Sequence, residues 1–293
     1  MLRTGRDSQV KPLIAALCAV AIATTCGVAV SAKAKKSGGK KSSAAAKNET
    51  AETAALKTAN RLLLFHQPKA ALEKFNEAVK LQPESAHVYA NRSVAYMTLG
   101  DTKNALADAN KAIELDPHHA VAYINRAWIH NELHESEKAL DDANKAITLD
   151  PNSIMGHMNR SHAYNKLGHH DAALFDCNKV IEVNPLFAAA YVNRAHTQIG
   201  LKEYKKAVED ATKAIELRSN YAKAYVNRAH AYRMLGDYDK ALEDVNKALS
   251  LNKNLPGALF NRSEIYEKLA ANDLAAARKL GFNGKDEDNG GSD

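Results

Sequence analysis

The sequence predicts an all-α fold, a solenoid of stacked helix-turn-helix units, and three observations carry that prediction. The first is an internal period. The segment AYVNRAHAYRMLGDYDKALEDVNKALSL begins at Ala224, comparable segments begin at Val88, Ala122, Gly156 and Ala190, and the step is 34 residues throughout. The second is what each unit repeats. Asn-Arg pairs stand at Asn91-Arg92, Asn125-Arg126, Asn159-Arg160, Asn193-Arg194, Asn227-Arg228 and Asn261-Arg262, and alanines seven apart follow at Ala105/Ala112, Ala139/Ala146, Ala207/Ala214 and Ala241/Ala248, with Ala173/Val180 as the fifth pair. The third is apolar spacing. Tyr225, Ala229 and Tyr232 recur at helical intervals, and after Gly236-Asp237 the residues Ala241, Val245, Ala248 and Leu249 do so again. That is two amphipathic helices joined by a tight turn. One such pair cannot bury both its faces, so the units must stack, and the small residues let neighbouring helices approach closely.

In chain order, the first element is an address. Arg3, Arg6 and Lys11 precede an unbroken apolar run from residue 13 to 23, and small residues then sit at Val30/Ala32 and Ala32/Ala34 with the spacing of a processing site. Residues 1–34 therefore read as a secretory signal peptide, and the chain as exported, periplasmic or extracellular. The alternative is an uncleaved membrane tether through the 21 uncharged residues 12–32, with Lys33, Lys35 and Lys36 following at once. Residues 35–51 are rich in Lys, Gly, Ser and Ala and read as a basic flexible linker. Removal of the first segment would take Cys18 and Cys26 with it and leave Cys177 alone, without an internal disulfide partner.

Charge narrows the function classes. The net charge is +6, but residues 1–50 hold nine Lys and Arg against Asp7 and Glu49. The remaining 243 residues carry 31 basic and 32 acidic side chains, too even a balance for the concentrated basic face that nucleic acid requires. With 45% hydrophobic and 25% charged residues the body is globular.

From residue 52 onward the motif resembles the tetratricopeptide repeat (TPR) family, in the form AYxNRAxAYxxLGDYxKALxDxNKAIxLxP. The resemblance implies a right-handed superhelix of about seven units, near 52–85, 86–119, 120–153, 154–187, 188–221 and 222–255, with a capping unit at 256–281. Tyr89, Tyr123, Tyr191 and Tyr225 fill the large-residue fourth slot, and Gly100, Gly168 and Gly236 fall at the turn between helices. The first unit lacks Asn-Arg. The last keeps its first helix but replaces the second with NDLAAARKLG, which looks like a polar-faced cap ending at Gly281. Residues 282–293 read as an acidic, disordered tail.

In this family the first helix of each pair lines a concave groove, which implies a non-catalytic scaffold binding protein or extended peptide segments. Asn91, Asn125, Asn159, Asn193, Asn227 and Asn261 would form a ladder of amides there, each with a donor and an acceptor for a peptide backbone, as in the repeat domain of the O-GlcNAc transferase family. The other reading of the same residues is that they bond to neighbouring helices and fix repeat packing. Beside them Ala90, Ile124, Met158, Val192, Val226 and Phe260 form an apolar row, and Val94, Trp128, His162, His196 and His230 a second. Successive histidines in that row would stand about 8–10 Å apart, too far to share an ion, and would make the groove more cationic below about pH 6.5. A structural role through the convex face, self-association into a homo-oligomer included, is the alternative function.

Arg92, Arg126, Arg160, Arg194 and Arg228 are each followed sixteen residues later by Asp108, Asp142, Asp176, Asp210 and Asp244, while the first unit has Thr58 and Lys74 at those slots. Their joint absence predicts an Arg–Asp pair joining the helices of one repeat. Arg262 faces Arg278 in the same slots, which leaves it without a carboxylate. The clamp that some TPR proteins close on a terminal carboxylate is rejected, since Val121 and Asn125 stand where its cations should be. His130 and His134 share a helix face, but no Cys, Asp or Glu completes a recognisable set, so neither metal nor cofactor is expected. No catalytic motif is present.

Overall fold

A computed structural model describes residues 43–280. Among them are thirteen helices and no strand. The predicted signal or anchor segment, the start of the linker, Gly281 and the acidic tail lie outside the described residues.

The chain divides between Pro185 and Leu186 into two compact units. The first contains α1 (Ser43–Leu64), α2 (Pro68–Leu81), α3 (Ala86–Leu99), α4 (Thr102–Leu115), α5 (Ala120–Glu132), α6 (Ser136–Leu149), α7 (Ile154–Leu167) and α8 (His170–Val183). The second contains α9 (Ala188–Gly200), α10 (Tyr204–Leu217), α11 (Ala222–Leu235), α12 (Tyr238–Leu251) and α13 (Pro256–Lys279). Within each unit every helix packs on the next, and each odd-numbered helix also packs on the following odd-numbered one. This is the contact pattern of stacked pairs, with the odd helices as first members. All ten paired small residues from Ala105 to Ala248 are fully buried, as are Ala71 and Ala78 of α2, so the helix contacts are made where side chains are smallest.

Two departures from the sequence expectation concern the ends. Residues 43–51, assigned above to the linker, belong to α1. The stretch SAAAKNETA contains no Gly or Pro, and alanine is the strongest helix former, so the helix runs past the repeat register. At the other end α13 is a single helix of 24 residues in place of a pair. Residues 270–279 are Ala-rich and hold neither Gly nor Pro, so nothing turns the chain after the first helix is complete.

Between the two helices of each pair the chain passes through the left-handed region. Gly100, Gly168 and Gly236 do so with φ of 81°, 80° and 84°, as glycine readily can. The alternate pairs use His66, His134 and Lys202 at the same slot, with φ of 56°, 61° and 60°. The closing bond is common to both kinds: Asp101 N–H donates to Tyr96 O at 2.9 Å, and Glu203 N–H to Gln198 O at 2.8 Å. Lys202→Gly is therefore expected to raise the denaturation midpoint. It removes a left-handed penalty of roughly 1–2 kcal/mol against an entropic cost of roughly 0.5–1 kcal/mol for glycine. A lower midpoint in urea would contradict this.

Candidate functional site

The first helix of each pair carries the candidate binding residues and the arginines, and the structure separates those that hold the repeats together from those that face outward. The arginines belong to the first class. Arg92 donates from Nε and Nη2 to the two oxygens of Asp108 at 2.7 and 2.8 Å. The same two-pronged contact, at 2.7–2.8 Å, joins Arg126 to Asp142, Arg160 to Asp176, Arg194 to Asp210 and Arg228 to Asp244. The predicted pair is thus present in all five repeats that carry both residues. The carboxylate hydrogen bonds hold the guanidinium groups of Arg126, Arg160 and Arg228 above their ordinary pKa, despite burial.

A third arm was not anticipated. Nη1 of Arg92, Arg126 and Arg160 donates at 2.9 Å to Asn76, Asn110 and Asn144, each sixteen residues earlier, and Arg228 donates to Thr212 at 3.1 Å. One arginine therefore ties its own repeat to the preceding one. The signal was in the sequence, because Asn recurs two residues after the clamped Asp in D-A-N-K and D-V-N-K. The fourth-slot tyrosines complete the clamp. Arg126, Arg194 and Arg228 lie 5.6, 5.5 and 5.7 Å over the rings of Tyr123, Tyr191 and Tyr225. His157 takes that slot in α7, its Nδ1 2.7 Å from Asp176 and its Nε2 3.1 Å from Pro151 O.

The asparagines also face inward. Asn125 Nδ2 donates to Ala90 O at 2.7 Å, Asn159 to Ile124 O at 2.9 Å, Asn227 to Val192 O at 2.9 Å and Asn261 to Val226 O at 3.2 Å. Each bond spans 35 residues to the first helix of the preceding repeat. Asn91, Asn125, Asn159 and Asn261 are buried, and Asn193 and Asn227 half-buried. The expectation of a solvent-facing amide ladder is corrected accordingly. At Asn125, Asn159, Asn227 and Asn261 the donor is committed to a neighbouring helix, and where exposure is only 0–2%, at Asn91, Asn125 and Asn261, a peptide cannot reach the side chain. The packing reading of these residues is the one the geometry supports.

The flanking rows divide. In the first unit Ala90, Val94, Ile124 and Trp128 are buried, the last two within the core that includes Phe75 and Met97, so they offer no contact surface. Met158 is half-buried and His162 exposed. In the second unit Val192 is buried, Val226 and His230 are half-buried, His196 is exposed, and Phe260 is 58% exposed. The usable surface is thus Met158 and His162 in one unit, and His196, Val226, His230 and Phe260 in the other.

His230 does not behave as a cation in mild acid. Burial first, then the charge of Arg233 and the nearby His196, lower its pKa to about 4. Arg233 Nη2 stands 3.5 Å from its Nε2, a contact only the neutral ring accepts well. The expected cationic groove below pH 6.5 therefore fails at this position. A depressed folded pKa stabilises the protein above the unfolded value near 6.5, and that contribution is lost as pH falls towards 4. Burial likewise depresses His87 and His119, whose rings meet at 3.2 Å. Denaturation midpoints should thus decline between pH 6.5 and 4, and His230→Gln should flatten the decline. An unchanged slope in that variant would show that His230 is not among its sources.

His130 lies 2.6 Å from Glu135 and His134 is exposed, and among the described residues no group of three or more His, Cys, Asp or Glu is placed to hold a metal ion. Cys177 is fully buried in α8. No described helix is long and apolar enough to cross a membrane.

Sequence profiles described as Tetratricopeptide repeat match residues 86–119, 109–141, 156–185, 188–221 and 222–255, together more than half of the chain. The chain belongs to the tetratricopeptide repeat family. Among solved structures, this TPR protein is similar to the Cut9–Hcn1 hetero-tetramer of APC/C, with a TM-score of 0.67 at 14% identity over 75% of this chain. It spans only 46% of that chain. Pseudomonas aeruginosa pilF matches with a TM-score of 0.62 at 18% identity, over 74% of this chain and 99% of its own. A tetratricopeptide repeat protein from Parabacteroides merdae matches with a TM-score of 0.59 at 23% identity, over 80% of this chain and 95% of its own. At these identities the likeness is one of fold. A search of curated proteins finds no match. TPR folds generally serve as protein-interaction scaffolds without chemistry of their own.

Proposed function

We propose that this TPR protein is a non-catalytic scaffold that binds extended polypeptide on the outward faces of its first helices. The observation that carries the reading is the contrast within those helices. The Asn and Arg side chains lock the repeats together, while Met158, His162, His196, Val226, His230 and Phe260 remain wholly or partly exposed. Within each unit taken by itself, a preorganised patch of apolar and imidazole groups gains affinity because little of it must be ordered on binding. Contact through this row, rather than through the amides, is the revised mechanism. Export, or tethering through residues 12–32, belongs to the same proposal and rests on the layout of residues 1–34. The N-terminal sequence of the mature chain tests it.

The binding test is capture from native extract by the full chain, by His196→Glu and by His196→Glu/Val226→Glu, with circular dichroism confirming that all three are folded. A partner held by the parent and lost by the folded variants supports the row. Equal capture by all three would remove the outward face of the second unit from consideration.

A further inference from the structure

The last first-member helix, α13, keeps the surface that its predecessors use to hold a second helix, yet among the described residues no second helix is folded onto it. In α3, α5, α7, α9 and α11 the residue after the arginine is small and fully buried: Ser93, Ala127, Ser161, Ala195 and Ala229. The equivalent Ser263 is exposed. Tyr123, Tyr191 and Tyr225 in the fourth slot are 8–9% exposed, whereas Leu259 is 44% exposed. Tyr266, one helical repeat further on, is 55% exposed. Leu259, Arg262, Ser263, Tyr266 and Ala270 stand at i, i+3, i+4, i+7 and i+11 and form one stripe. The opposite face is occupied, since Ala258, Asn261 and Ile265 are buried and Ala258 and Ile265 belong to the core of α11 and α12.

Arg262 stands in the middle of the stripe. Its five equivalents each grip an aspartate at 2.7–2.8 Å. Arg262 is half-buried and has neither a hydrogen bond nor an ion pair among the described residues. Arg278 occupies the aspartate slot, but α13 is continuous, so it lies roughly 24 Å further along the same helix and not opposite. An unpaired guanidinium framed by exposed apolar side chains is complementary to a carboxylate delivered on a small-residue surface.

We infer that this face seats a helix from another protein with the pattern A-x-x-D-[A/V/C]-x-x-A. That is the pattern this chain uses at Ala105, Asp108, Ala109 and Ala112, and again at Ala241, Asp244, Val245 and Ala248. The small residues let the incoming helix approach α13, and the acidic side chain takes both prongs of Arg262. A second copy of the chain is a poor occupant, because every aspartate in such a pattern is already held by its own arginine. The segment 281–293 is another poor one, since it carries four glycines and no such pattern. None of the residues of this stripe belongs to the row containing His196 and Val226, although Phe260 of that row is on the same helix.

The probe is a labelled peptide with the sequence of α12, YDKALEDVNKALSL, titrated against the full chain by fluorescence anisotropy. A peptide this short folds only as it binds, so a modest dissociation constant of about 100 μM or tighter is the expected result. Arg262→Gln in the protein, or Asn in place of the peptide's central Asp, should each weaken binding about tenfold or more, and the two together little further. Because Arg262 holds nothing among the described residues, its replacement should leave the helical spectrum unchanged. His196→Glu should bind the peptide normally, which keeps this inference distinguishable from the scaffold proposal. Absence of saturable binding, or binding indifferent to Arg262→Gln, overturns it. So does a concentration-dependent dimer abolished by Arg262→Gln, which would make the occupant a second copy. Binding only after removal of residues 281–293 would make the occupant the tail, and equally overturns it.

Discussion

Asp176→Ala is expected to destabilise the α7–α8 repeat by about 3–5 kcal/mol, the usual cost of removing one partner from a buried ion pair. Asp176 is fully buried and receives both prongs of Arg160 and a contact from His157. Its loss strands a guanidinium whose side chain is only 17% exposed. The stranded charge, more than the lost attraction, sets the size of the effect. The contrast is Glu182→Ala, which removes a pair with Lys179 whose side chains are 68% and 43% exposed. That change should leave the protection of α7 and α8 close to that of the parent, because both charges stay in water. Hydrogen exchange read helix by helix is the suitable measurement, because repeats open locally and a single unfolding midpoint averages over them. Similar protection of α7 and α8 in both variants would show that the clamp contributes little.

Phe75→Ala should cost a comparable 3–5 kcal/mol, by a different route. The first pair lacks the arginine and the aspartate, with Thr58 and Lys74 in their slots. Phe75 is the largest of the fully buried side chains and belongs to a cluster with Ala55, Leu56, Ala59 and Leu63. The slot it fills holds Ala109, Ala143, Cys177, Ala211 or Val245 in the other pairs. The first repeat has thus exchanged an ionic clamp for an apolar one. Truncation leaves a cavity that α1 and α2 can only partly close. Protection should fall in those two helices and hold from α4 onward. A uniform loss across the first unit would mean that its helices unfold together.

The helix pairs and the Arg–Asp clamp were legible because both live in side-chain identity at fixed spacing. The first repeat was informative for the clamp, since two absences in one unit betray a pair. The role of the asparagines was not legible. A primary amide has the same chemistry whether its donor meets a peptide or the carbonyl of a neighbouring helix, and a backbone acceptor 35 residues away leaves no residue-type signature. The turns at His134 and Lys202 were hidden for a related reason: their backbone angle matches that of Gly100, but nothing in a histidine or a lysine advertises it. The burial of Trp128 and the neutral state of His230 depend on what packs over them. Periodicity places a residue on a face and is silent about its cover.

Two sets of linkages between repeats, from Arg to Asn and from Asn to a backbone carbonyl, obey fixed offsets, and for these two sets the first unit can be cut and rejoined in register. Arg160 reaches back sixteen residues to Asn144, and Asn159 reaches back 35 to Ile124 O. Excision of residues 120–153 would bring Asn110 to the position of Asn144, and Ala90 O to that of Ile124 O. Arg126 already uses Asn110, and Asn125 already uses Ala90 O, so both replacements are tested partners. A cut that is not a multiple of 34 residues would misalign both sets at once. For these linkages the stack can be shortened or lengthened only in quanta of 34 residues, and each such splice regenerates both kinds of bond.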